Sequence, residues 1–231
     1  MTQLCDFPYR IEGTSHAVVN RAAAISEDKA TVPTVFVVDD DPAMRHSLSL
    51  LLGSVGLRVR TYPTAAAFLE SFRPSWHGCL VLDVRMPGMS GLQLLQALKA
   101  RGADLPAIVI TGHADVPMAV RAMRIGAMDF LEKPFDENAL IARVRQGLER
   151  DRRKAMQGAQ AAAWKERLSR LTRRETQVLE RVVAGRSTRQ IASEFGVTTQ
   201  AIDAHRKRLL TKLEQTNVAD VIRWSVKLGW K

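Results

Sequence analysis

A chain of 231 residues has room for one large domain or two small ones, and its 46% apolar and 25% charged residues suit a packed core under a solvated surface. Its apolar runs, such as Val35–Val38 and Cys79–Leu82, fall far short of the roughly 20 residues of a membrane span, and the N-terminus lacks the basic-then-apolar layout of a secretory signal. Two cysteines, Cys5 and Cys79, argue against a disulfide framework, show no zinc-type spacing, and fit a reducing cytoplasm. The net charge of +10 is polarised: residues 151–231 carry 18 Lys/Arg against 8 Asp/Glu, while the rest of the chain is balanced. Charge gathered in one segment suggests a polyanion partner there, against the plainer reading of a basic solvated surface.

Residues 1–33 show neither a helical nor a strand period and read as a poorly ordered extension. From Thr34 the pattern becomes regular. Val35–Val38 is an apolar strand running into Asp39-Asp40-Asp41-Pro42, an Asp-Pro start for a helix that Gly56 ends. Leu57, Val59 and Thr61 alternate as a strand, and Thr64–Phe72 is a short helix. Cys79–Asp83 is a second apolar strand, followed by a Pro/Gly loop and a helix over Leu92–Arg101. Ala107–Thr111 is a strand, Asp115 caps a helix over Val116–Ile125, Met128–Glu132 is a strand, and Asp136 caps a helix over Asn138–Glu149. Five strand-helix units with continuously apolar strands imply an α/β domain with a five-stranded parallel sheet covered on both faces. Residues 151–167 read as a linker with a weak helical tendency, or as a continuation of the preceding helix. Residues 168–231 contain helical periods only, over Glu175–Ala184, Thr188–Phe195, Thr199–Leu213 and Val218–Leu228, a helix-turn-helix layout.

Function in a parallel sheet collects beyond the carboxyl ends of the strands. Those ends deliver Asp39 and Asp40, Asp83, and Thr111, with Lys133 just after the fifth strand. Each has a blander reading alone: Asp41 as a helix cap, Asp83 as a turn residue, Thr111 as a strand terminus, Lys133 as a surface charge. Together at one edge they suggest phosphoryl transfer. Crowded carboxylates suit Mg2+, a carboxylate can serve as nucleophile, and a lysine and a hydroxyl can hold the developing charge.

Residues 34–150 resemble the receiver domains of two-component response regulators. The matching stretches are Val37-Val38-Asp39-Asp40, Leu82-Asp83-Val84-Arg85-Met86-Pro87-Gly88-Met89-Ser90-Gly91, Ile110-Thr111-Gly112-His113 and Glu132-Lys133-Pro134-Phe135. The resemblance implies a flavodoxin-like (βα)5 fold of strand order 2-1-3-4-5, for which a receiver is a standing example. It implies that Asp83 accepts the phosphoryl group, and that Asp40, Asp83 and the Arg85 carbonyl bind Mg2+ with Asp39 assisting through water. It gives Lys133 a pairing with the phosphoryl group, Thr111 a hydrogen bond to it, Phe130 the place of the switch aromatic, and a cis Lys133–Pro134 bond.

Residues 168–229 resemble the LuxR-type helix-turn-helix domain of the FixJ/NarL subfamily, through Leu171-Thr172-Arg173-Arg174-Glu175, Val178-Leu179, Gly185, Ile191-Ala192, Val197-Thr198, Ile202-Asp203-Ala204-His205-Arg206, Leu209 and Lys212-Leu213. The expected four-helix domain presents a basic face on Thr199–Leu213, made by His205, Arg206, Lys207, Arg208 and Lys212, suited to a major groove and its phosphates. The resemblance implies that Asp203, Ala204 and Lys207 face base edges and that Thr199, His205, Arg206 and Arg208 lie at the phosphates. Asp203 stands where many relatives have Lys, which removes positive charge from the groove-facing set and suits a cytosine amino donor. The implied partners are a sensor histidine kinase, double-stranded promoter DNA with paired half-sites, RNA polymerase, and a second copy of the chain on phosphorylation. The chain is expected to act in the cytoplasm, to turn over no external substrate, and to regulate transcription, most often as an activator. A haloacid-dehalogenase-type phosphatase would need Asp-x-Asp on the first strand with the nucleophile there, whereas here the first strand runs into a contiguous Asp run and the candidate nucleophile, Asp83, ends the third. A ligand-sensing LuxR-type regulator would leave the acidic site unexplained.

Overall fold

The computed structural model describes residues 32–113 and 115–229. Nearly all of the expected N-terminal extension, Cys5 included, lies outside the described residues. Five strands, β1 (Thr34–Val38), β2 (Arg58–Tyr62), β3 (Gly78–Asp83), β4 (Ala107–Thr111) and β5 (Asp129–Glu132), form one sheet of order β2-β1-β3-β4-β5 with every pairing parallel. Helices α1 (Pro42–Ser54), α2 (Ala65–Ser71), α3 (Gly91–Ala100), α4 (Val116–Ile125) and α5 (Glu137–Ser169) connect and follow the strands. The expected strand order holds, and observed boundaries lie within two residues of the expected ones at nearly every end. The large exception is the far end of α5.

The central strands are apolar because both faces are covered. Val35, Val37, Val81, Ile108 and Ile110 pack with Leu48 and Leu52 of α1 and with Leu140 and Val144 of α5. Phe36, Val38, Leu80, Leu82 and Val109 point the other way, among Phe68, Leu94, Leu95 and Ala122 of α2, α3 and α4. Strand periodicity of two divides the residues between the layers. Each buried aliphatic side chain adds roughly 1.5–3 kcal/mol of transfer free energy. Side chains set the helix starts: Asp41 caps α1, Ser90 forms a capping box with Gln93 on α3, and Asp115 and Asp136 cap α4 and α5. Gly91 opens α3 against the end of β3, where a Cβ would collide with the Asp83 carbonyl oxygen.

Helix α5 is continuous over 33 residues, so the stretch 151–167 expected as a linker is helical, and its ends belong to two different cores. At the near end Asp151 is buried, accepting the Gly78 N–H at 2.9 Å and standing 3.3 Å from His77 Nδ1. One turn earlier Gly147 packs on the Cys79 sulfur, where a side chain would not fit. At the far end Trp164 is 1% exposed and belongs to the helical domain's core, stacked on Trp224 at 5.9 Å. Between them, residues 156–160 are exposed. Of the three charges expected to serve solubility, Arg152 and Arg153 pair with Glu149, and Lys154 pairs with Asp104.

The helical domain adds α6 (Arg173–Val183), α7 (Thr188–Phe195), α8 (Thr199–Leu213) and α9 (Val218–Lys227). Two small clusters hold it together. Trp164, Leu179, Leu209, Leu213 and Val221 form one, and Val178, Val182, Ile191, Ala192 and Ile202 form the other. Capping boxes at Thr172/Glu175 and Ser187/Gln190 start α6 and α7. Gly196 ends α7 in the left-handed conformation (φ 62°), the turn that swings the chain into α8.

Candidate functional site

The parallel register brings Asp39, Asp83, Thr111 and Lys133 to one end of the sheet. Asp39 directly follows β1, Asp83 and Thr111 end β3 and β4, and Lys133 directly follows β5. Lys133 Nζ donates to Asp39 Oδ2 at 2.8 Å and to Asp83 Oδ1 at 2.7 Å. One ammonium thus joins two carboxylates that lie 44 residues apart in sequence and on adjacent strands. Asp83 Oδ2 accepts the Arg85 N–H at 2.6 Å, and Asp39 Oδ1 accepts the Asp41 N–H at 2.9 Å. Thr111 is fully buried, and its hydroxyl is engaged only weakly with the His113 backbone, at 3.3 and 3.5 Å. The Lys133–Pro134 peptide is cis, as the receiver resemblance implies.

The electrostatics of this edge are in tension. Burial pushes the Asp83 carboxyl above the ordinary aspartate range; Lys133 opposes the rise and Asp39 adds to it. Burial alone would lower the Lys133 pKa, but hydrogen bonds and charge from Asp39 and Asp83 outweigh it and hold the pKa above the usual lysine value. The two shifts pull oppositely on one pair. Lys133 stays charged through Asp39 as well, so the 2.7 Å ion pair governs Asp83 near neutral pH. The Asp40 carboxylate stands exposed, and among the described residues no hydrogen bond or ion pair engages it. Among the described residues no three His, Cys, Asp or Glu side chains converge as a ready-made metal cage. Mg2+ needs no such cage, since one or two carboxylates with waters suffice. The hard oxygen donors at this edge, the Asp39 and Asp83 carboxylates that share one lysine and the exposed Asp40, fit that ion.

Phe130 is half-buried on β5, packed against the cluster under α3 and α4. Its N–H donates to Asp129 Oδ1 at 2.7 Å, and Asp129 Oδ2 in turn accepts Arg143 Nε from α5 at 2.5 Å. Arg45 escaped the sequence reading. Its guanidinium donates from Nη1 to the Asp39 and Asp40 carbonyls, at 2.8 and 2.9 Å. Its only sequence signal is a basic residue one turn into the helix that follows the aspartates, and nothing in the sequence distinguishes that from a surface arginine.

On the helical domain, Thr199, Asp203, Ala204, Lys207 and Arg208 are exposed along α8, one face of the helix. Ile202, Leu209 and Leu213 occupy the opposite, buried face. Arg206 is half-buried and turned toward α7, donating to Thr188 Oγ1 at 2.6 Å, while the Thr188 hydroxyl lies 3.4 Å from Asp203 Oδ1. His205 is half-buried; burial first, then Arg208 and Arg174, lower its pKa. Lys212 does not belong to the free basic face. It donates to the buried Glu175 at 2.7 Å, tying α8 to α6.

Comparison with known proteins agrees with this geometry. Residues 35–145 match the response regulator receiver domain family, and residues 169–225 match the luxR family of bacterial regulatory proteins. The chain is 47% identical over 198 residues to the transcriptional regulatory protein FixJ of Azorhizobium caulinodans, covering 84% of this chain and 92% of that protein. It is 37% identical over 201 residues to the response regulator protein TodT of Pseudomonas putida strain F1, covering 87% and 88%. Among solved structures, the response regulator StyR superposes with a TM-score of 0.76 at 43% identity, covering 85% of this chain and 99% of that one. Full-length FixJ from B. japonicum superposes with a TM-score of 0.52 at 38% identity, covering 86% and 98%. No helix among the described residues is long and apolar enough to cross a membrane. A receiver domain implies a histidine-kinase partner and a LuxR-type domain implies DNA binding. The chain belongs to the two-component response regulators that join a receiver domain to a LuxR-type DNA-binding domain, and its relatives are transcription regulators.

Proposed function

We propose that Asp83 is the phosphoacceptor. Its carboxylate oxygen attacks the phosphorus of a sensor kinase's phosphohistidine, the P–N bond breaks, and an acyl phosphate forms on Asp83. The observation that carries this reading is the Lys133 bridge to Asp39 and Asp83 at the carboxyl edge of the sheet. Lys133 is already charged and aimed at the place where phosphoryl oxygens arrive. Asp40, Asp83 and the Arg85 carbonyl would hold Mg2+, with Asp39 assisting through water. When bound, the ion neutralises phosphoryl charge during in-line transfer.

The weakly engaged Thr111 hydroxyl is free to turn to a phosphoryl oxygen, and half-buried Phe130 moves with it as the switch aromatic. Helix α4 beside them exposes Val116 (76%), Val120 (43%) and Met123 (49%) at helical spacing, an apolar stripe for a second receiver. Dimers set two α8 helices roughly 34 Å apart, one DNA turn, for paired half-sites. Asp203, Ala204 and Lys207 then read base edges. Thr199, His205 and Arg208 touch phosphates or lie nearby, and Arg206 is held beside them by its Thr188 bond. The domains run over 34–150 and 168–231, joined through the helical stretch 151–167. The chain acts in the cytoplasm, where promoter DNA lies, and activates transcription with RNA polymerase.

The test is phosphotransfer from acetyl phosphate with Mg2+, read by intact mass. Wild type gains one phosphoryl adduct that needs Mg2+, and Asp83→Asn gains none. An adduct that survives in Asp83→Asn overturns the assignment. Dimerisation and DNA binding by unphosphorylated Asp83→Asn equal to those of the phosphorylated protein would overturn the switch.

A further inference from the structure

Three consecutive aspartates at the β1–α1 corner have three different fates. Asp39 turns inward to Lys133. Asp41 caps α1, accepting the Ala43 N–H at 2.9 Å. Asp40 alone leaves its carboxylate exposed and, among the described residues, without a partner. Adjacent carboxylates repel, so something must hold this corner in one shape. The backbone at the corner is held by Arg45, whose Nη1 bonds both the Asp39 and the Asp40 carbonyl oxygens. Among the described residues Arg45 makes no ion pair with any carboxylate. Its planar group is spent on two consecutive peptide planes.

We infer that Arg45 is a positioning residue for the divalent-cation site. Holding the carbonyls of residues 39 and 40 fixes the direction in which the Asp40 side chain leaves the chain, at the sheet edge where Asp83 ends β3. The inference rests on the reading of Asp40 and Asp83 as cation ligands given above. It separates cleanly from a through-space effect because the two have opposite signs. A positive charge near a cation site repels the cation, so its removal by charge alone would tighten Mg2+ binding. Removal of a clamp lets the corner relax and weakens it.

The experiment is a calorimetric Mg2+ titration of the full chain with no phosphodonor, on wild type, Arg45→Met and Arg45→Lys. Arg45→Met keeps the apolar stem and is expected to weaken Mg2+ binding about tenfold, within the range for groups that orient metal ligands. Arg45→Lys is expected to lose less, because an ammonium still donates to a carbonyl. With acetyl phosphate added, Arg45→Met raises the Mg2+ concentration for half-maximal phosphorylation and leaves the rate at saturating Mg2+ unchanged. Equal or tighter Mg2+ binding in Arg45→Met overturns the clamp. If circular dichroism shows Arg45→Met unfolded, Arg45→Lys decides alone: weaker binding supports the clamp, and equal or tighter binding overturns it. Asp40→Asn tests the underlying reading separately. Mg2+ binding undiminished in that variant, or absent from wild type, overturns the ligand assignment and the clamp with it.

Discussion

Asp83 in the receiver and Glu175 in the helical domain look alike in isolation. Each is a buried carboxylate, 5% and 3% exposed, and each accepts a lysine ammonium at 2.7 Å. Yet the Asp83 pKa is raised and the Glu175 pKa is lowered. Lys133 is shared with Asp39, whose own charge pushes Asp83 further up, and Asp83 has one backbone N–H besides. Burial also disfavours charge on Glu175, but Lys212 serves it alone, and the Thr172 N–H and hydroxyl donate to it in a capping box. A carboxylate with enough donors holds a fold together. A carboxylate left short of them is poised for chemistry, at a cost in stability.

The largest expected effect probes how far the two regions are separate. Trp164→Ala removes the α5 side chain that fills the helical core, and should cost that domain about 4 kcal/mol. The receiver core shares no residue with that cluster, so its own transition should stay put. Hydrogen exchange resolved by segment would check this. Equal loss of protection in both domains would show that α5 couples their unfolding.

The next effects concern the two carboxylates. Glu175→Gln weakens a capping box and an ion pair, and should cost the helical domain about 1–2 kcal/mol at pH 7. Since the folded Glu175 pKa is depressed, its contribution is present above the ordinary glutamate range and is lost as pH falls through the folded value. The gap between wild type and variant should therefore close on acidification. Asp83 has the reverse sign. Its folded pKa is raised, so the folded state binds the proton more readily and stability falls as pH climbs from the ordinary aspartate value through the folded one. In the absence of Mg2+, Asp83→Asn should melt higher than wild type at pH 7, with an advantage that shrinks in acid. Thermal midpoints of both variants between pH 4 and 7 give the two slopes. Slopes of one sign would mean that the two sites do not differ as their partners suggest.

The same contrast governs what was legible in the sequence. The sheet was readable because its three central strands, β1, β3 and β4, are buried along their whole length, and the strand-end aspartates stand out against those apolar runs. The α8 face was readable in outline from basic residues opposite Ile202, Leu209 and Leu213. Partner choice was not. Lys212 and Lys207 are indistinguishable as letters, and only the packing of α6 against α8 commits Lys212 to Glu175. The full span of α5 was legible only as an alternative to a linker, for a different reason. Residues 156–160 bury nothing, so there is no apolar period to extend the helix past Glu149, and the sole mark of the next core is a lone tryptophan. Arg45 and Asp151 act through backbone groups brought to them by the fold, which no local pattern encodes.

The smallest effect tests whether the helical domain is as well satisfied as Glu175 suggests. Trp164 Nε1 and Ser225 Oγ are both buried without a hydrogen-bonding partner among the described residues. A buried hydroxyl with no bond loses its hydration and gains nothing back, a penalty of about 1–3 kcal/mol. Ser225→Ala removes that hydroxyl, leaves at most a small void and improves helix propensity within α9. The helical domain should then melt higher, by about 1 kcal/mol at the low end of that range. A lower midpoint for Ser225→Ala would mean that the hydroxyl is bonded in solution, leaving Trp164 Nε1 as the buried polar atom of this domain still short of a partner.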